Sequence, residues 1–284
     1  MNIIEGYYAV EQYAPDYTAG LAYLCRAGYG RSHFQVSWGA EETRHADAWR
    51  NVLIFSRARL AADLDVYTES LREKQWTPPW NDPVRMLFYT VFQERATELI
   101  YLNTGTYLKV SDQPTASTHD PDLVLSKVIS TIAKDEAAHY NFYLEAARLH
   151  VHYLPEDALP ALLDVLCDFT MPAATIIPNY DGFIKELYAA GIFGPRKYVS
   201  DVVEPVLAKL GVDARRAFQT KLFSRRKCLT RRGDSPNPEP DLSVPVQHDV
   251  LGEFVRHLLQ RLDVYEQRIG FGEVDGYQPI PLLI

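Results

Sequence analysis

Cysteine is scarce in this chain: three in 284 residues, Cys25, Cys167 and Cys228, odd in number and far apart. None belongs to a Cys-x-x-Cys pair, which argues against a thiolate zinc or iron–sulfur site and for reduced thiols in a cytoplasmic protein. Long apolar runs are missing too, none approaching the roughly 20 residues of a membrane-spanning helix. The opening Met1-Asn2-Ile3-Ile4-Glu5-Gly6 has no basic segment ahead of an apolar one, so no secretory signal is expected. Positive charge is in deficit, with 29 Lys and Arg against 37 Asp and Glu and a formal net charge of −8. That balance argues against general nucleic-acid binding while leaving room for a local basic patch. Strand-period alternation and short repeats are absent as well. What remains, 47% apolar and 23% charged, is an ordinary globular composition on a chain long enough to bury a large core.

Helical periodicity dominates the first half. Helices are predicted over about 7–27, 32–59, 63–75, 82–109 and 119–152. Pro15 interrupts the first and predicts a kink or a late start. Asp82-Pro83 reads as an N-cap followed by proline at the first helical position, and His119-Asp120-Pro121 repeats that signal. Four of these helices are long against a mean of about 11–12 residues, and the longest connection separates the second from the third, as in a crossover bundle. Shorter helices follow over about 157–170, 180–190, 196–210 and 214–230, then a proline-rich loop over 234–246 and a last helix over 248–268.

Two short stretches carry the chemistry. Glu41-Glu42-Thr43-Arg44-His45 and Asp135-Glu136-Ala137-Ala138-His139 each contain Glu-x-x-His, which puts a carboxylate and an imidazole on one side of a helix. Glu11 lies 31 residues before Glu42, and Glu94 lies 42 before Glu136, so each half pairs a one-glutamate helix with a Glu-x-x-His helix at similar height. A glutamate from each of two helices and Glu-x-x-His from the other two is the ligand set of a two-metal carboxylate site in a four-helix bundle. Apolar neighbours (Trp38, Ala46, Trp49 and Val52 on one helix, Val91, Phe92 and Leu99 on another) put these carboxylates on buried faces. There an ionised group is costly without a cation or hydrogen bonds. Iron and manganese share this donor set, so the spacing does not choose between them.

The runs Trp38-Gly39-Ala40-Glu41-Glu42-Thr43-Arg44-His45-Ala46-Asp47, Tyr89-Thr90-Val91-Phe92-Gln93-Glu94-Arg95-Ala96-Thr97 and Ala133-Lys134-Asp135-Glu136 resemble the soluble acyl-[acyl carrier protein] desaturase family. A weaker match continues through Met171-Pro172 and Tyr180-Asp181. The resemblance implies an all-α fold, a ferritin-like four-helix bundle core (about 7–152) with additional C-terminal helices (about 155–284), in a single domain of 1–284. It implies Glu11, Glu42, His45, Glu94, Glu136 and His139 as ligands of two iron ions, with manganese as the alternative metal. Pro15 and Tyr17 follow Glu11 at the family's offsets. Thr97 falls where the family has a threonine near the oxygen site, against the plainer role of a helical threonine bonding its own backbone. Glu41 and Asp135 are candidates to orient a ligating imidazole. Two positions depart from the family: Ala138 replaces an arginine and Tyr140 a common acidic residue.

The resemblance implies oxygen-dependent desaturation of a fatty acyl chain on an acyl carrier protein, with ferredoxin as electron donor and a homodimer as the assembly. Related hydroxylation or N-oxygenation on a natural-product chain is the alternative, and a ferritin- or rubrerythrin-like iron-handling protein the third reading. Aromatics around Phe88 and Phe92 are candidates for lining an acyl channel or for core packing. The carrier is itself acidic, and Arg215, Arg216, Lys221, Arg225, Arg226, Lys227, Arg231 and Arg232 form a basic cluster that could receive it. Unchanged carrier binding at low salt after Arg225→Glu and Arg226→Glu would remove that role.

Overall fold

The computed structural model describes residues 2–111 and 123–211, which are helical with no strand among them. In chain order the elements are α1 (Asn2–Glu11), α2 (Ala14–Leu24), α3 (Tyr29–Phe55), α4 (Ala61–Arg72), α5 (Pro83–Ser111), α6 (Leu123–Tyr153), α7 (Pro155–Asp168) and α8 (Tyr180–Ala189). Then come the short α9 (Pro195–Lys197), a π-helical turn (Tyr198–Val203) and α10 (Glu204–Lys209). The fold is all-α and ferritin-like. Helices α1 and α2 together, α3, α5 and α6 form the bundle, with α4 on the crossover between α3 and α5. Of the additional helices, α7 packs on α5 and α6, and α8 packs on α1. The expected helices over 214–230 and 248–268, the proline-rich loop between them, the basic cluster and the start signal at His119 lie outside the described residues.

The expected single helix over 7–27 is two helices. Pro15 has no N–H to bond the carbonyl of Glu11 four residues back, so α1 ends at Glu11 and α2 restarts at Ala14. The break is pinned rather than loose. The Val10 carbonyl accepts from the Tyr13 amide at 3.3 Å and the Tyr17 hydroxyl at 3.0 Å. The Tyr13 hydroxyl donates to the Leu71 carbonyl at 2.8 Å, and Asp16 accepts from the Trp76 amide at 2.9 Å. Glu11 therefore sits on a helix end held from several sides.

Asp82 caps α5 as expected, its Oδ1 accepting from the amides of Val84 (3.0 Å) and Arg85 (2.7 Å). Arg85 reaches on to Asp164 of α7 at 2.6 Å, tying the added layer to the bundle. Two glycines permit close approaches beside the bundle centre. A Cβ on Gly39, three residues before Glu42, would lie 1.8 Å from the Thr18 hydroxyl of α2. A Cβ on Gly6 would lie 2.1 Å from the Phe183 ring of α8. Gly6→Ala will therefore lower stability by about 1–3 kcal/mol in urea denaturation, as overpacking does. An unchanged midpoint would show that α8 yields freely.

Candidate metal centre

All six expected residues meet at the centre of the bundle, and all are buried. They form two overlapping groups, Glu11, Glu42, His45 and Glu136 on one side and Glu42, Glu94, Glu136 and His139 on the other. Within each group one donor atom per residue lies within 4.8 Å of the others. Glu42 and Glu136 are common to both. Helices α3 and α6 bring the two Glu-x-x-His faces together at the centre.

The imidazoles show which atoms face the centre. His45 Nδ1 lies 3.4 Å from Glu42 Oε2 and 3.4 Å from Glu136 Oε1. His139 Nδ1 lies 3.0 Å from Glu42 Oε1 and 3.5 Å from Glu94 Oε2. Their Nε2 atoms point outward to the acids expected to orient them, and each pairing crosses between helices. His45 Nε2 meets Asp135 of α6 at 3.3 Å, and His139 Nε2 meets Glu41 of α3 at 2.7 Å. Each Nδ1 is thereby turned inward, as a metal-ligating histidine held from outside would be.

The inward atoms have no hydrogen-bond partner. This holds for Glu42 Oε1, His45 Nδ1, Glu94 Oε2, both oxygens of Glu136 and His139 Nδ1. The short Nδ1–oxygen distances therefore bring these atoms together without hydrogen-bond geometry. Three carboxylates, Glu42, Glu94 and Glu136, with unpaired oxygens at a buried centre are expensive unless cations compensate them. Oxygen and imidazole donors suit divalent ions such as iron or manganese. The residues fit such ions, and each group could hold one.

Two aromatic donors complete the carboxylate environment. The Trp38 indole donates to Glu94 Oε1 at 3.0 Å, and the Tyr101 hydroxyl donates to Glu11 Oε1 at 2.5 Å. In the sequence Trp38 reads only as an apolar neighbour and Tyr101 carries no motif, although it lies seven residues after Glu94 on the same stripe of α5.

Without a cation, protons take the missing positive charge. Burial and then the neighbouring Glu42 carboxylate push Glu11 well above the ordinary carboxylate value, and burial does the same to Glu94. Burial opposes charge on His45, but its contacts with Glu136 and Glu42 win and push it up to about 12. His139 is raised for the same reason, against the same penalty. Glu136 is lowered: burial acts upward, and its contacts with His139 and His45 outweigh it. In the metal-free protein the raised His45 contributes stability that is complete below the ordinary 6.5 and is lost as pH climbs towards 12. Metal must displace such protons, so apparent affinity will rise between about pH 6 and 8, with proton release on binding. Calorimetry in buffers of different ionisation enthalpy measures that release, and a value of zero would contradict the protonated resting state.

A cavity of about 880 Å³ opens onto this centre. Glu11, Glu42, Trp38, Thr97 and Tyr101 form its inner wall, and residues of 166–198 form the outer one. Met171-Pro172 and Tyr180-Asp181, the weaker family-like positions, lie on that outer wall. The segment between α7 and α8 turns twice through left-handed backbone, at Ala173 (φ 59°) and Asn179 (φ 56°), a conformation non-glycine residues adopt at a cost. Thr97 faces the cavity one turn beyond Glu94, its hydroxyl donating to the Gln93 carbonyl at 3.0 Å. That is the plainer of its two expected roles. Phe88 and Phe92 are fully buried core residues away from the cavity wall, so the packing alternative applies to them. Tyr140 is buried with Arg95 (5.6 Å) and Lys209 (5.0 Å) against its ring, so cations meet an aromatic face where the family has an acid. Among the described residues no helix is long and apolar enough to cross a membrane.

Known proteins resemble this chain over most of its length. Stearoyl-[acyl-carrier-protein] 9-desaturase 6, chloroplastic, of Arabidopsis thaliana is 29% identical over 173 residues, covering 60% of this chain and 42% of the relative. The chloroplastic stearoyl-[acyl-carrier-protein] 9-desaturase of Gossypium hirsutum is 27% identical over 224 residues, covering 69% and 51%. DesA1 of Mycobacterium tuberculosis is 26% identical over 189 residues, covering 64% and 52%. The chain thus spans about half the length of the curated relatives it matches. The X-ray structure of DesA2 from Mycobacterium tuberculosis superposes with a TM-score of 0.52 at 22% identity, covering 74% of this chain and 76% of that one, a likeness of fold alone. A family model described as fatty acid desaturase matches residues 15–231, and the chain belongs to that family.

Proposed function

We propose that the chain is an oxygen- and ferredoxin-dependent di-iron desaturase that introduces a double bond into an acyl chain carried on an acyl carrier protein. The observation that carries this reading is the cavity of about 880 Å³ whose inner wall includes Glu11, Glu42 and Thr97. Its volume lies within the roughly 300–1,000 Å³ of small-molecule sites, and its lining is mainly aliphatic and aromatic. A long alkyl chain suits such a lining.

Glu11 and His45 would hold one ion and Glu94 and His139 the other, with Glu42 and Glu136 between them. When bound, a pair of iron ions supplies the redox chemistry that an unactivated methylene demands and that side chains lack. The protein's own work is positional. Asp135 and Glu41 hold the imidazoles. Leu166, Phe169, Ile184, Leu187 and Phe193 keep the alkyl chain against the inner wall and exclude water. Thr97 would move a proton at the cavity face once its hydroxyl leaves the Gln93 carbonyl.

Oxygen insertion is the second reading, and one observation favours it. Thr170, Thr175 and Asn179 place polar groups on the outer wall, which a chain already bearing oxygen or nitrogen could use. The deciding experiment incubates the iron-loaded protein with reduced ferredoxin, oxygen and a series of acyl carrier substrates, and weighs the products. Loss of two hydrogens from one chain supports desaturation. Gain of an oxygen atom moves the chemistry to hydroxylation, and failure to bind metal removes the site altogether.

A further inference from the structure

We infer that Tyr101 is a positioning residue for one of the two metal ions: it fixes Glu11 so that a single carboxylate oxygen is left for that ion. The inference rests on the two-ion reading above and assigns a role within it to a residue outside the six.

Glu11 needs such a holder. It is the last residue of α1, where Pro15 interrupts the helix, and the other three carboxylates sit inside long helices. Its neighbour in space is Tyr101, buried on α5, whose hydroxyl reaches Glu11 Oε1 at 2.5 Å. The direction of that bond is set from behind. The Trp49 indole lies 3.3 Å from the same hydroxyl and can only donate to it. The Tyr101 oxygen therefore accepts from Trp49, and its one hydrogen goes to Glu11.

The ring has little freedom to move. Tyr7, Trp49 and Tyr101 pack as a triangle, with ring centroids 5.1 Å apart for Tyr7–Tyr101, 5.2 Å for Tyr7–Trp49 and 5.4 Å for Trp49–Tyr101. The Tyr7 hydroxyl is tied in turn to Thr104 at 2.6 Å, one turn along α5 from Tyr101. Trp49 is fully buried on α3 and Tyr7 lies on α1, so three helices hold the donor in place.

The chemical consequence is an asymmetry among the carboxylates. Glu11 Oε1 is occupied by Tyr101, leaving Oε2 as the oxygen for metal, while both oxygens of Glu136 are without hydrogen bonds and open to two ions. Trp38 plays the matching part for Glu94 on the other side. Removing the Tyr101 hydroxyl would free Glu11 to swing or to bind through both oxygens. The effect should fall on the Glu11–His45 ion and spare its neighbour.

The test titrates the full-length metal-free protein with cobalt(II) under argon, following visible absorption and counting bound ions by dialysis. Wild type takes up two ions. In Tyr101→Phe one ion is expected to bind about 10–100-fold more weakly, the range for losing an outer hydrogen-bond partner, with the spectrum of the other unchanged. Adding Glu94→Ala to Tyr101→Phe should abolish the remaining tight ion, whereas adding His45→Ala should leave it. Two ions bound with wild-type affinity in Tyr101→Phe, or both weakened equally, would overturn the assignment. If Tyr101→Phe does not fold, Trp49→Phe keeps the hydroxyl but releases its direction. A smaller loss on one ion is then expected, and no loss overturns the proposal. A wild-type protein that binds no cobalt sinks the two-ion reading itself, a failure seen before any variant is made.

Discussion

On the proposed di-iron reading, Glu136→Gln will bring metal content from two ions per chain to fewer than one and will cut desaturation by at least about 100-fold. Glu136 is 0% exposed, belongs to both groups of donors, and has neither oxygen in a hydrogen bond. Glutamine keeps the shape but turns one oxygen into an N–H donor aimed at the metal positions, and it removes a negative charge shared by two sites. Loss of an outer partner alone costs metal sites roughly 10–100-fold, so loss of a shared ligand should cost at least the upper end. Iron analysis and product mass spectrometry on the same preparation measure the two effects, with circular dichroism as the folding control. Two ions retained in a folded Glu136→Gln protein would show that the buried carboxylates serve another purpose.

On the same reading, Ile100→Trp will separate metal binding from substrate binding. Ile100 lies on the cavity wall one turn beyond Thr97, and none of its atoms is a metal donor. An indole there fills the space next to the inner wall. We expect kcat/KM for long acyl chains to fall about 100-fold, equivalent to about 2.7 kcal/mol, with iron content unchanged and shorter chains affected less. Wild-type turnover of long chains would place the substrate outside this cavity. Together the two variants distinguish an effect on the donor cluster from an effect on the cavity.

Much of the local structure was legible in the sequence because its causes are local. The cap at Asp82 and the interruption at Pro15 each depend on a few adjacent residues; the cap forms as expected, and the interruption, expected as a kink or late start, is a full break. The break falls at Glu11 for a readable reason, since a proline removes the bond to the carbonyl four residues earlier. The crossed pairings of Asp135 with His45 and Glu41 with His139 were half legible. Each acid precedes a motif glutamate by one residue, but which imidazole it orients depends on how α3 and α6 face each other. For Phe88 and Phe92 periodicity marks burial and nothing more, and both a core and a channel are made of such residues.

By itself the sequence determined the helical character, the main interruptions and the two Glu-x-x-His faces, because helix period and that spacing act within a turn or two, whereas Glu11 and Glu94 joined the set through the pairing of the two halves and the family resemblance. Tertiary structure alone decided the rest. Tyr101 and Glu11 are brought together by α1 meeting α5, and Trp38 and Glu94 by α3 meeting α5. The cavity exists because residues 166–198 fold back over α1 and α5. Such contacts depend on how whole helices rotate and cross, which is set by the summed packing of distant side chains and leaves no mark at a fixed spacing in the chain.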